Sequence, residues 1–92
     1  MKEEVIYSRV EECLLEDMDG ELLLYNPNNA TTLHLNDSSA VVWELCDGER
    51  TAGEIVSMLQ SSFPDQAEQV ATDVADVIDH LLEREVLQAA AE

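Results

Sequence analysis

"LHLNDSSAVVWELCDGERTAGEIV", residues Leu33 to Val56, decides how this chain folds. Asn36 and Asp37 are residues whose short polar side chains accept hydrogen bonds from the free amides at a helix start. The apolar run through Val42 and Trp43 that follows them predicts a first helix over "SSAVVWELC". Gly48 can adopt the left-handed conformation that closes such a helix. Thr51 and Glu54 stand in the T-x-x-E spacing of a capping box, in which each side chain satisfies the other residue's backbone amide, so a second helix begins there. Ile55, Met58 and Leu59 recur at helical spacing within it, and Phe63-Pro64 ends it. The stretch therefore has a helix-turn-helix signature, yet Arg50 is its one Lys or Arg.

Downstream, Asp65 is expected to cap a third helix running roughly from Gln66 to Glu85, followed by "VLQ" as a short strand or coil and an uninformative "AAAE" tail. The apolar positions of the third helix, from Val70 through Leu82, form a band wider than packing against a single neighbour requires. The whole band reads as core, covered by the first two helices and the sheet, with an open groove along its margin as the alternative. The opposite face carries Asp73, Asp76, Asp79, Glu83 and Glu85 with Arg84 as the basic exception, so a recognition helix set against phosphates and bases is ruled out.

Upstream, the period changes to that of strands. "RVEECLLED" (Arg9–Asp17), "ELLLYN" (Glu21–Asn26) and "TTLHLN" (Thr31–Asn36) are short runs rich in Leu, Val, Tyr or Thr, bounded by turn residues. Asp19-Gly20 suits a tight hairpin, and "NPNNA" (Asn26–Ala30) supplies a longer second turn. An antiparallel meander with Thr31 to Leu35 as its edge is expected. The fold class is α+β, a three-stranded antiparallel sheet followed by three helices. A chain of 92 residues holds one domain, drawn here as residues 1–88 with a short tail over 89–92.

Charge narrows the function. The chain carries 21 Asp and Glu against 4 Lys and Arg, a formal net charge of −17. Nucleic-acid binding places cations against phosphates, and anionic membranes attract basic segments, so both partners are disfavoured. No apolar run approaches the roughly 20 residues that cross a bilayer. Cys13 and Cys46 stand in no metal-ligand spacing, read as small buried hydrophobes, and together with a charged start argue for a reducing cytoplasm. His34 and His80 read as outward residues. With no metal motif and no nucleophile elbow, neither a catalytic residue nor a metal or cofactor is expected.

The run Leu35-Asn36-Asp37-Ser38-Ser39-Ala40, then Val42-Trp43-Glu44-Leu45-Cys46-Asp47-Gly48-Glu49-Arg50-Thr51, then Glu54-Ile55-Val56 resembles the PqqD family. "FPDQAEQVATDVADVIDHLLEREVL" (Phe63–Leu87) continues the resemblance through Asp73-Val74, Ile78, Leu82, Arg84 and Leu87. That resemblance implies a winged helix-turn-helix used as a RiPP recognition element. Such a module is a non-catalytic chaperone that holds the leader of a ribosomally made precursor peptide for a modifying enzyme, often of the radical-SAM type, as in pyrroloquinoline quinone biosynthesis. The leader adds as a strand to the sheet edge, in the groove against the third helix. Carried onto this chain, the resemblance makes Thr31, Thr32, Leu33, His34 and Leu35 the strand-adding edge. Val70, Val74, Val77, Ile78 and Leu81 form the groove wall. The acidity leads us to expect Lys or Arg on the leader or on the docking enzyme, with binding that weakens as salt rises. The alternative is an acidic winged-helix adaptor that binds a regulatory protein.

Overall fold

The computed structural model describes residues 1–91. Six strands and three helices follow one another as β1 (Ile6–Arg9), β2 (Leu14–Met18), β3 (Glu21–Asn26), β4 (Thr31–Leu35), α1 (Asp37–Leu45), β5 (Asp47–Thr51), α2 (Ala52–Ser62), α3 (Ala67–Glu83) and β6 (Leu87–Ala91), with a 3-10 turn at Pro64–Gln66. They form two three-stranded antiparallel sheets, in the orders β2-β3-β4 and β5-β1-β6.

The expected meander is the first of these sheets. Asp19 and Gly20 both have positive φ, as the two-residue turn between β2 and β3 requires, and Met18 pairs with Glu21 across it. The expected first strand, Arg9–Asp17, is in fact two. The chain turns at Val10–Cys13, where the Cys13 amide donates to the Val10 carbonyl, and the Val10 amide donates to the Val86 carbonyl. Glu11 and Glu12 at this turn are exposed while Cys13 is buried, so strand alternation is broken. The residues before the turn join the second sheet, which the sequence reading did not contain.

The ends of α1 and α3 also differ from expectation. The start of α1 is as expected, with Asn36 of the two candidate caps taking the position and its Oδ1 accepting from the Ser39 amide at 2.8 Å; the departure is at its other end. The helix stops at Leu45 with Cys46 as its C-cap, short of Gly48. The cause is Asp47, whose Oδ1 accepts the amides of Glu49 and Arg50 and turns the chain into β5. Gly48 does have a φ of +82°, but it uses that freedom in β5, where an added Cβ would lie 3.4 Å from the Ser8 Cβ. Helix α2 begins on the expected capping box: the Glu54 amide donates to Thr51 Oγ1 and the Thr51 amide to Glu54 Oε1. Helix α3 begins without a side-chain cap. Asp65 sits in the preceding 3-10 turn, and Gln66 occupies the cap position. The "AAA" of the tail is ordered in β6, because strand β1 offers it a pairing edge.

Helix α3 packs on α1 and α2, with Leu24, Ile55, Ile78, Leu81 and Val86 wholly buried at the centre. The Trp43 indole donates to the Val86 carbonyl at 3.1 Å, so its polar atom is satisfied inside that core.

Candidate functional site

Strand β4 pairs with β3 and, among the described residues, with no other strand. Its register shows which backbone groups are free. Met18 and Glu21 flank a two-residue turn and so form a hydrogen-bonded pair; alternation makes Leu23 and Tyr25 bond toward β2, leaving Leu22, Leu24 and Asn26 to bond toward β4. Their partners are Leu35, Leu33 and Thr31. The amides and carbonyls of Thr32 and His34 therefore point to the open edge, and those of Leu33 and Leu35 point back to β3. The side chains of Thr32 and His34 are exposed on the outer face of the sheet, and Leu35 is buried beneath it.

The chain leaves β4 through Asn36 directly into α1, and the first turns of α1 border a groove of about 300 Å³. One wall carries Val41 and Val42 of α1, and the other carries Val70, Val74 and Val77 of α3. Leu59 and Phe63, from the end of α2, close it, with Phe63 55% exposed. Val77 and Val70 are half-buried, while Val74 touches the groove with little exposure.

The structure thus gathers Val70, Val74 and Val77 of the expected wall into one groove. Ile78 and Leu81 lie elsewhere: both are 0% exposed and belong to the core. On α3 they share the buried stripe with Val74, which meets the groove from beneath, whereas the half-buried Val70 and Val77 lie along the edge of that stripe. None of Thr31 to Leu35 lines the groove; the edge strand leads into it through the start of α1. Val41, Leu59 and Phe63 also line the groove, although in the sequence Leu59 read as a helical apolar position and Phe63 as the end of α2. Val41 is 44% exposed beside the buried pair Val42 and Trp43.

A second cavity, of about 490 Å³, lies between β1, the turn after it and the end of α1, lined by both cysteines with Arg9, Glu11, Glu12 and Asp47. Burial pushes the Cys46 thiol up to about 12, against the nearby Arg9 and reinforced by Asp47, and burial with Glu12 beside it raises Cys13. Both cysteines are free. At neutral pH they are thiols rather than thiolates, hence poor nucleophiles and poor ligands. Among the described residues, no group of three or more His, Cys, Asp or Glu could hold a metal ion. No helix there is long and apolar enough to cross a membrane.

A family model described as "Coenzyme PQQ synthesis protein D (PqqD)" matches residues 21–87, from β3 through the start of β6. The chain belongs to the PqqD family. The PqqD match includes β4, all three helices and every residue of the groove. A solved structure described as "TbiB1 in Complex with the TbiA(beta) Leader Peptide" is similar at a TM-score of 0.73 and 20% identity, over 92% of this PqqD-family chain and 99% of that one. At that identity the similarity is one of fold. No curated protein matches in sequence.

Proposed function

We propose that this protein is a peptide-binding RiPP recognition element: it holds the leader of a ribosomally made precursor peptide by strand addition to β4 and presents it to a modifying enzyme. The observation that carries this reading is the open edge of β4, whose outward amides at Thr32 and His34 lie just before an apolar groove between α1 and α3. A peptide strand paired there gains backbone hydrogen bonds at roughly 1 kcal/mol net each and can sink an apolar side chain among Val70, Val74 and Val77. Membership of the PqqD family supports the reading, as does a similar fold solved with a leader peptide. In this reading β2-β3-β4 is the wing of a winged helix-turn-helix, and the chain is a non-catalytic chaperone working in the cytoplasm. The modifying enzyme is of the radical-SAM type, with pyrroloquinoline quinone as one product class.

One observation favours a second reading. Leu14 and Met18, 56% and 53% exposed, lie with Tyr25 on the wing sheet, where Leu14 and Tyr25 are cross-strand partners. Such a face suits a protein partner, so an acidic adaptor for a regulatory protein is the alternative.

Amide NMR spectra recorded while adding a synthetic leader, taken from a short open reading frame beside the gene, separate the two. Leader binding predicts shifts at Thr32 and His34 and along the Val70 to Val77 wall. A silent titration with a folded protein overturns leader binding in favour of the adaptor.

A further inference from the structure

We infer that Asp37 and Asp73, facing each other across the groove between α1 and α3, select a peptide carrying Lys or Arg beside its apolar anchor. The inference rests on the peptide-binding reading of that groove and specifies its substrate. Asp37 opens α1 on one wall and Asp73 stands on α3 on the other; they are the charged residues lining the groove, and no Lys, Arg or His lines it. Both are exposed, so their carboxylates reach a bound chain without rearrangement. Asp73 accepts one hydrogen bond, at Oδ1 from Gln69 Nε2 at 2.8 Å, which leaves its other oxygen free of protein donors.

Between these carboxylates the floor is valine and leucine. The alkyl stem of a lysine or arginine can lie along that floor while its cationic head reaches the rim, the arrangement such side chains adopt wherever an apolar surface meets water. A glutamate at the same place would meet two like charges and is excluded. The protein's own cations do not neutralise the site: none of Lys2, Arg9, Arg50 and Arg84 lines the groove, Arg50 being paired with Asp47 at 2.6 Å and Arg9 lying over the Trp43 ring with its guanidinium donating to the Glu44 carbonyl. A second copy of the chain, itself at −17, is a poor occupant for the same reason.

A displayed library of short random linear peptides, selected in parallel on three proteins, tests this. The three are the unaltered chain, Asp37→Asn/Asp73→Asn, and Asp76→Asn/Glu83→Gln, which removes equal charge at exposed positions outside the groove. The unaltered chain should enrich peptides with Lys or Arg within one or two residues of a large apolar side chain. These peptides should bind Asp37→Asn/Asp73→Asn about three- to tenfold more weakly, and Asp76→Asn/Glu83→Gln within about twofold of the unaltered chain. Equal weakening in both variants would mean diffuse attraction and overturns the inference. Enrichment of cation-free peptides that still shift the Thr32 and His34 amides overturns it too, while leaving leader binding in place. No enrichment on any of the three, all shown folded by their thermal unfolding, overturns both.

Discussion

Asn26 shows how one side chain positions the wing. It is 2% exposed, and its amide donates to the Glu85 carbonyl at 2.8 Å while its Oδ1 accepts from the Asn28 amide at 2.9 Å. The turn between β3 and β4 is thereby tied to the end of α3, where Glu85 takes a positive φ. Asn26→Ala would orphan that carbonyl and free the turn, and we expect a loss of about 1 to 3 kcal/mol in denaturant unfolding. Cys46 makes a different prediction. Its folded pKa of about 12 exceeds the ordinary 9.0, so between those values the unfolded chain gives up a proton that the folded chain keeps. The contribution of Cys46 to stability should therefore be constant below pH 9.0 and fall from there toward about 12, and Cys46→Ala should remove that part of the slope. The burial of Cys46 was legible in the sequence, whereas the role of Asn26 was not. Asn26 reads as an ordinary turn residue, and its partner lies at the far end of the chain.

At the scale of elements, the strand edge and the groove wall each offer a paired test. Thr32→Pro deletes an amide that faces open solvent, so the fold should survive and leader binding should fall by about tenfold or more. Leu33→Pro deletes an amide bonded to β3, and its main effect should be a loss of about 3 kcal/mol of stability. On α3, Val77→Asp should weaken peptide binding in a folded protein. Ile78→Asp, one residue on but wholly buried, should unfold it, since an unpaired buried charge costs several kcal/mol; circular dichroism melts separate the two. The helices were readable because Asn36 and the Thr51–Glu54 box announce their starts with local chemistry. The sheet β5-β1-β6 was not, because it joins segments from both ends and the middle of the chain. One of those segments, "LQAAA", has the alanine-rich composition that strands ordinarily avoid. The groove was half readable: helical periodicity put Val70, Val74 and Val77 together with Ile78 and Leu81, but only packing divides the open margin from the core.

For the whole molecule, charge pulls in two directions. Twenty-one carboxylates against four cations repel one another in the folded state, so salt should raise the melting temperature. The same salt should screen the attraction for a cationic leader. Thermal unfolding and peptide titration across about 0.05 to 1 M NaCl should therefore move in opposite directions, and an affinity indifferent to salt would remove the cation from the account. Acidity, plain in the composition, disfavours DNA as partner on electrostatic grounds, whereas the groove we propose to use it appears only where α1 and α3 face each other.

Strand β1 lies between β5 and β6, and this has a consequence for synthesis. Although β1 comes before the other five strands in sequence, it is among the last to find its neighbours, for residues 87–91 must emerge before β6 can pair with it. The hairpins of β2-β3-β4 and the helical pair α2–α3 rest on nearby contacts and can form while translation continues. Val86 and Leu87, which seal the core, arrive with β6. The open edge of β4 is thus assembled early, on a body whose core closes only once residues 86–91 have emerged.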